Sequence, residues 1–150
     1  MKEIERKYLI DKNNLDFLAS SEGKKIKQAY VQNEIDRTVR IRTKADKAFL
    51  TVKIGKDALS RDEFEYQIPV QDALSMMEIL QLKVLSKTRY EINFENHLWE
   101  VDVFEGKLDG LIIAEIELKA EDESFITPPW VGTEVTNDSS YLNARLIEKL

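Results

Sequence analysis

Along seven separate stretches of this chain, charged side chains keep to one parity and apolar side chains to the other. In "KEIERKYLI", residues 2 to 10, Glu3, Glu5 and Lys7 fall on one face of a strand, because side chains alternate with a period of two. Arg40 and Arg42 oppose Val39 and Ile41; Thr51 and Lys53 oppose Val52 and Ile54; Arg61, Glu63 and Glu65 oppose Phe64 and Tyr66. Further on, Lys87 and Arg89 oppose Tyr90 and Ile92, Glu100 and Asp102 oppose Val101 and Val103, and Glu115 and Glu117 oppose Ile116 and Leu118. Strand propensity asks for none of these charges, since Glu and Lys are depleted in strands.

A solvated outer face would explain one such strand. It explains seven less well, because solvated faces also favour Thr, Ser and Gln, whereas these positions are almost all ionic. The signs are also grouped. Residues 37 to 61 hold eight Lys or Arg against two acids, while residues 91 to 123 hold eleven acids against two bases. Closing the sheet with its charged face inward gives a polar lumen, one wall basic and another acidic, with helices over the apolar outside. Such a cavity fits a polyanion carried with its divalent cation.

The remaining patterns agree with that architecture. Alternation predicts strands at residues 2–10, 26–32, 37–43, 48–54, 61–68, 86–94, 98–104 and 111–119. Turn chemistry at Gly23, Ala45 to Lys47, Gly55 to Asp57, Glu95-Asn96 and Gly106 to Gly110 makes most of them hairpin-connected and antiparallel. Helical spacing places Ala73, Met76, Met77 and Leu80 on one face after Pro69 and a cap at Asp72, and Leu142, Leu146, Ile147 and Leu150 on another after Asp138 to Ser140. A shorter helix is expected over Asn14 to Ser20.

Composition narrows the chemistry. At 150 residues and 43% hydrophobic content the chain is expected to form one domain, residues 1–150, with a buried core. Charged residues make up 33%, against about 25% in an average soluble domain, and the net charge of -6 argues against a general nucleic-acid binder. No run of about 18 apolar residues occurs and the first residues are charged, so neither a membrane span nor a secretory signal is predicted, and the expected location is cytoplasmic. Zero cysteines exclude thiolate chemistry, and the single His97 excludes a multi-histidine zinc site within one chain. A bound metal would be a hard cation held by oxygens, and paired glutamates two apart on one face suit Mg²⁺ or Mn²⁺. Phosphate would be held by Arg forks and Lys point charges, since no glycine-rich phosphate loop is present.

Glu3, Glu5 and Lys7 form an E-x-E-x-K stretch that resembles the signature of the CYTH superfamily, the triphosphate tunnel metalloenzymes. It is joined in order by "QAY" at Gln28, "RIR" at Arg40, "TVK" at Thr51, "SRDEFEY" at Ser60, "KTRY" at Lys87, "WEVDVFEG" at Trp99, "AEIEL" at Ala114 and "PPWVGTEVT" at Pro128. The similarity implies an α+β fold built on an eight-stranded antiparallel closed barrel, with Glu3, Glu5, Glu115 and Glu117 on Mg²⁺ or Mn²⁺. It also implies Lys7, Arg40, Arg42, Lys53, Arg61, Lys87 and Arg89 on a triphosphate. The chain is most similar to the short bacterial inorganic triphosphatases, whose frequent Gln-Gly-Tyr is Gln28-Ala29-Tyr30 here. The implied partner is a small-molecule triphosphate, with neither nucleic acid nor membrane, and a homodimer is a possible assembly.

Several roles stay open at this level. Lys53, crowded by Arg40, Arg42, Lys7, Lys87 and Arg89, is the candidate general base for water, or else a phosphate contact only. Tyr30 narrows a tunnel mouth or is a hydrogen-bonded barrel tyrosine, and Glu63, Glu65 and Asp102 support the basic residues. Glu134 is a lid contact or a further acid near the metal. His97 is expected at the surface, and Trp99 and Trp130 are expected to pack under a helix or loop. A nucleoside or thiamine triphosphatase, an adenylate cyclase of the class IV type and a non-catalytic polyphosphate-binding module are the alternatives to an inorganic triphosphatase.

Overall fold

The computed structural model describes residues 2–57 and 59–150. Among them, eight antiparallel strands close a barrel in the order β1-β5-β4-β3-β2-β6-β7-β8. The strands are β1 (Lys2–Leu9), β2 (Lys24–Glu34), β3 (Arg37–Lys44), β4 (Lys47–Ile54), β5 (Ser60–Ile68), β6 (Leu85–Phe94), β7 (His97–Phe104) and β8 (Ile112–Leu118). They match the predicted strands to within two residues at each end. Two-residue loops join three of the hairpins. At Glu95 and Asn96 both loop residues take positive φ, 46° and 66°, the combination that suits the twist of the flanking strands.

The charged parity faces inward and the apolar parity outward. Outside β1, β7 and β8 lies a cluster of Tyr8, Trp99, Val101, Ala114 and Ile116, covered by the 3-10 turn Asp16–Leu18 and by Phe125 and Trp130. Trp99 is fully buried there, and Trp130 stacks on Phe17 at 4.2 Å. Outside β2, β3 and β4, Ala29, Ile41 and Ala48 lie under α1 (Val70–Ile79), which turns Ala73 and Met77 toward them. Pro69 stands at the N-cap of α1, so Asp72 acts within the first turn, where a carboxylate favours the helix dipole.

The third cluster is inside the barrel. Leu9, Leu85, Phe104 and Ile113 carry the inward parity of Lys7, Lys87, Asp102 and Glu115, and they meet Leu146 and Ile147 of the C-terminal segment. That segment is three short turns, Ser139–Tyr141, α2 (Asn143–Leu146) and Ile147–Lys149, rather than one continuous helix. Leu142, with ψ of 138°, breaks it. An apolar plug therefore closes one end of the lumen.

Among the described residues β1 pairs with β5 over Lys2 to Ile4, and Glu5 N–H still donates to Leu59 O at 3.0 Å. Beyond that point the strap Gly132–Val135 takes over its free edge: Leu9 N–H donates to Thr133 O at 2.8 Å and Val135 N–H to Lys7 O at 2.8 Å. Gly132 is required there, since a Cβ would stand 2.6 Å from Leu9 O. Glu134 sits on this strap outside the lumen, bonded to Arg6 at 2.7 and 2.8 Å, so it is a strap contact and not an acid of the cavity. His97 pairs with Glu123 at 2.8 Å and packs edge-on to Phe125, half-buried under the same wall.

Candidate functional site

The lumen holds a cavity of about 190 Å³. Its wall includes Glu3, Glu5 and Lys7 from β1, Tyr30 from β2, Arg40 and Arg42 from β3, Lys53 from β4, Arg61, Glu63 and Glu65 from β5, Arg89 from β6, and Glu115 and Glu117 from β8. Thr38, Lys44, Glu100 and the plug residues Leu142, Asn143 and Ala144 complete it. Thr38 and Lys44 share the parity of Arg40 and Arg42, and Glu100 that of Asp102, so their signal was present in the sequence. Asn143 had none, because no periodicity governs an irregular turn.

The cations fall into three groups. Arg40 donates to Thr51 Oγ1 at 3.2 Å and to Glu65 at 3.5 Å, and Arg42 stands 3.8 Å from the same carboxylate. Both Nε atoms are buried with no hydrogen-bond partner among the described residues. Burial, together with Arg40 and Arg89 nearby, pushes the Arg42 guanidinium down to about 10, so it remains charged at neutral pH while its surroundings are short of anions. In the second group, Lys53 Nζ lies 2.8 Å from Glu3 and 3.5 Å from Glu63, and Arg61 lies within 3.9 Å of Glu3 and 3.8 Å of Glu5. The nearest neighbours of Lys53 are therefore carboxyls, where the sequence had suggested crowding by cations. Charges two apart on adjacent strands, Glu3 beside Arg61 and Lys53 beside Glu63, meet as register pairs.

The third group is the most deeply buried. Arg89 forms two parallel bonds to Asp102, at 2.7 and 2.8 Å, and a third to Glu100 at 3.1 Å. Lys87 reaches the same Asp102 at 2.7 Å and donates to Asn143 at 3.1 Å. Lys87 and Asp102 do not line the cavity; they stand behind it, each 1% exposed at the side chain. Burial pushes the Lys87 ammonium down to about 8 against the pull of Asp102. Burial also opposes ionisation of Asp102, but Arg89 and Lys87 override it and hold the carboxyl at about 2.

The acids occur as pairs too close to ionise freely. Burial and the neighbouring Glu115 push the Glu5 carboxyl up to about 8. Glu115 itself is held well below the ordinary carboxylate range against its burial by Lys7, 3.5 Å away, and by a hydrogen bond from Glu5. Burial and a hydrogen bond to Glu3 push Glu63 up to about 7. Glu117 is also raised, by partial burial and by Glu3 and Glu100. A divalent cation would relieve this repulsion, and carboxylate oxygens are the donors it prefers. The donor chemistry of Glu3, Glu5, Glu115 and Glu117 thus fits a hard metal. Among the described residues no three of them are drawn together at metal-binding distance; Lys7, Lys53 and Arg61 stand between them.

Tyr30 accepts a hydrogen bond from Gln28 at 3.1 Å and still borders the cavity, so both roles considered for it are compatible. Gln28 pairs with Arg42 and Tyr30 with Arg40, after which a bulge shifts the register and brings Asn33 opposite Thr38. Asn33 then holds the plug, donating to Ala144 O at 2.7 Å and accepting from Arg145.

A closed antiparallel barrel whose lumen carries convergent Arg and Lys opposite paired carboxylates defines a class of protein that receives a compact polyanion. The chain belongs to the CYTH family: the profile of the CYTH domain matches residues 1–149. It is 44% identical over 148 residues to an inorganic triphosphatase of Acetivibrio thermocellus, covering 98% of this chain and 94% of that one. An inorganic triphosphatase of Nitrosomonas europaea is 34% identical over 154 residues, covering 97% of both. A crystal structure of an inorganic triphosphatase superimposes with a TM-score of 0.69 at 32% identity, covering 97% of this chain and 93% of the other.

Proposed function

We propose that this chain, as one tunnel domain over residues 1–150, hydrolyses the terminal phosphate of inorganic tripolyphosphate, with Mg²⁺ or Mn²⁺ as cofactor. The observation that carries the proposal is the pair Arg40 and Arg42, buried in a charged cavity with both Nε atoms unpartnered. Two buried guanidiniums that share one carboxylate are costly, and a phosphate chain supplies the missing acceptors. The two full-length relatives named inorganic triphosphatase support the choice of substrate.

In this assignment Lys7, Arg40, Arg42, Arg61 and Arg89 hold the phosphoryl oxygens, and Glu3, Glu5, Glu115 and Glu117 hold the metal. Held by those carboxylates, the metal would supply Lewis-acid neutralisation of the charge that develops on the phosphoryl oxygens. Lys87 and Asp102 act behind the wall, fixing Arg89. Lys53 orients the attacking water: a new bond forms between water oxygen and terminal phosphorus, the bridging P–O bond breaks, and pyrophosphate leaves. The proton passes to the cluster of Lys53 with Glu63, whose carboxyl titrates near neutrality.

Incubation of the purified protein with tripolyphosphate and Mg²⁺ or Mn²⁺ should release orthophosphate in equal amount to pyrophosphate. Release with neither metal overturns the function. Chromatography of an ATP reaction separates the neighbouring activities, since cyclic AMP with pyrophosphate would mark a cyclase and ADP with phosphate a nucleotide hydrolase.

A further inference from the structure

Beside the plug, next to the main lumen, lies a second and smaller cavity of about 30 Å³. It runs between the β2–β3 turn and Gly55 on one side and Ser139 to Arg145 on the other. Thr38, Lys53, Arg61, Leu142 and Ala144 line both spaces, so the two are adjacent and share one wall. Among the described residues on its wall, Arg37, Lys53, Arg61 and Arg145 face one acid, Glu34. The main cavity, in contrast, carries Glu3, Glu5, Glu63, Glu65, Glu100, Glu115 and Glu117.

We propose that this side cleft is an orthophosphate site and the route by which the cleaved terminal phosphate leaves, a reading that rests on the hydrolase assignment above. Lys53, the residue assigned to the attacking water, stands at the junction, so the phosphorus attacked there is the one nearest the cleft. Cleavage leaves two anions in one low-dielectric space, and their repulsion is strong. The difference in volume sorts them: the narrow cleft admits a small anion, while a longer phosphate chain is confined to the broad lumen.

The outer cations are free to follow such an anion. Among the described residues Arg37 is paired only with its sequence neighbour Asp36, at 3.0 Å, and its side chain is 55% exposed. Arg145 is paired with the exposed Glu148 at 2.8 Å and donates to Asn33. Ion pairs this exposed contribute roughly 0–1 kcal/mol, so exchange of Asp36 or Glu148 for a phosphate oxygen costs little. Apolar Ile35, Leu142 and Ala144 between these cations lower the competition from water.

The test measures binding of inorganic phosphate directly, by calorimetry, alongside its inhibition of tripolyphosphate hydrolysis. Arg37→Ala and Arg145→Ala should each weaken phosphate binding and product inhibition by about tenfold, the loss of one charge-assisted contact. The KM for tripolyphosphate should stay within about twofold, and Arg37→Lys should restore most of the phosphate affinity. The hydrogen bonds and ion pair of Arg37 go to Asp36 and not to the plug, so its variants test the cleft even if Arg145→Ala loosens the C-terminal segment. Phosphate affinity unchanged in Arg37→Ala and Arg145→Ala would overturn the site, as would a parallel rise in tripolyphosphate KM, which would place phosphate in the main lumen. Should the protein bind phosphate with this Arg dependence yet release none from tripolyphosphate, the hydrolase assignment and the exit route fall and the anion site stands.

Discussion

Arg89 and Asp102 are opposite residues in the β6–β7 register and share two parallel hydrogen bonds of 2.7 and 2.8 Å, with Lys87 reaching the same carboxylate at 2.7 Å. One buried acid thus compensates two buried cations and sets the angle at which Arg89 enters the cavity. Asp102→Asn keeps the volume and leaves both cations short of charge. The expected loss is about 3–5 kcal/mol of stability in denaturant titration, and a raised KM for tripolyphosphate in the fraction that folds. A loss under about 1 kcal/mol would mean that Glu100 and Glu115 already balance the pair.

The same carboxyl predicts an acid limb. Its folded value, about 2, lies below the ordinary 3.8, so the unfolded chain binds more protons between those values. The contribution is present above about pH 4 and lost as pH falls through 2, on the order of 2 kcal/mol. Urea midpoints measured from pH 5 down to pH 2 should fall in the native protein and fall less steeply in Asp102→Asn. Parallel curves would contradict the assignment.

Parity made most of this molecule legible. Seven alternating stretches were enough to set inside and outside, because a one-residue slip would have moved every Arg and Glu to the opposite face. The same rule fails where the chain leaves the strands. The bulge between Tyr30 and Gln32 exchanges faces, so Asn33, not Gln32, reaches the plug. Leu142, Leu146, Ile147 and Leu150 have helical spacing, yet the extended Leu142 divides the segment and turns its apolar residues into the barrel end. Lys87 shares the parity of Arg89 but lies nearer the plug, a difference of depth that alternation does not encode.

The plug gives a packing prediction. Leu146 is 1% exposed among Leu85, Phe104 and Ile113. Leu146→Ala should cost about 2–5 kcal/mol, the transfer of a buried Leu plus the cavity it leaves. A segment merely draped over the surface would lose less than about 1 kcal/mol, and thermal denaturation separates the two.

Glu5 and Glu115 share a proton because, buried side by side, they repel more than Lys7 alone offsets. Glu115→Gln retains the hydrogen-bonding shape and removes the charge that a metal would use. Stability without metal should fall by less than in Asp102→Asn, since Lys7 keeps Glu5 as its second carboxyl at 3.9 Å. Turnover should fall by orders of magnitude, and calorimetric binding of Mg²⁺ should weaken with it. Near-native turnover at saturating Mg²⁺ in the folded variant would remove Glu115 from the metal site.

Lys53 tests the chemistry most directly. Its ammonium lies against Glu3 and Glu63 and borders both the lumen and the side cleft. Lys53→Arg keeps a positive charge, and therefore substrate attraction, but a planar guanidinium holds its protons and presents them along fixed directions. If Lys53 orients water and passes its proton toward Glu63, the variant should bind tripolyphosphate with a similar KM, lose turnover by about 100-fold or more, and change its pH profile. If Lys53 only clamps phosphate, the arginine should serve with a loss of a few fold and an unchanged profile. Single-turnover rates between pH 7 and 10 distinguish the two outcomes, because product release, which the side cleft would govern, does not enter a single turnover.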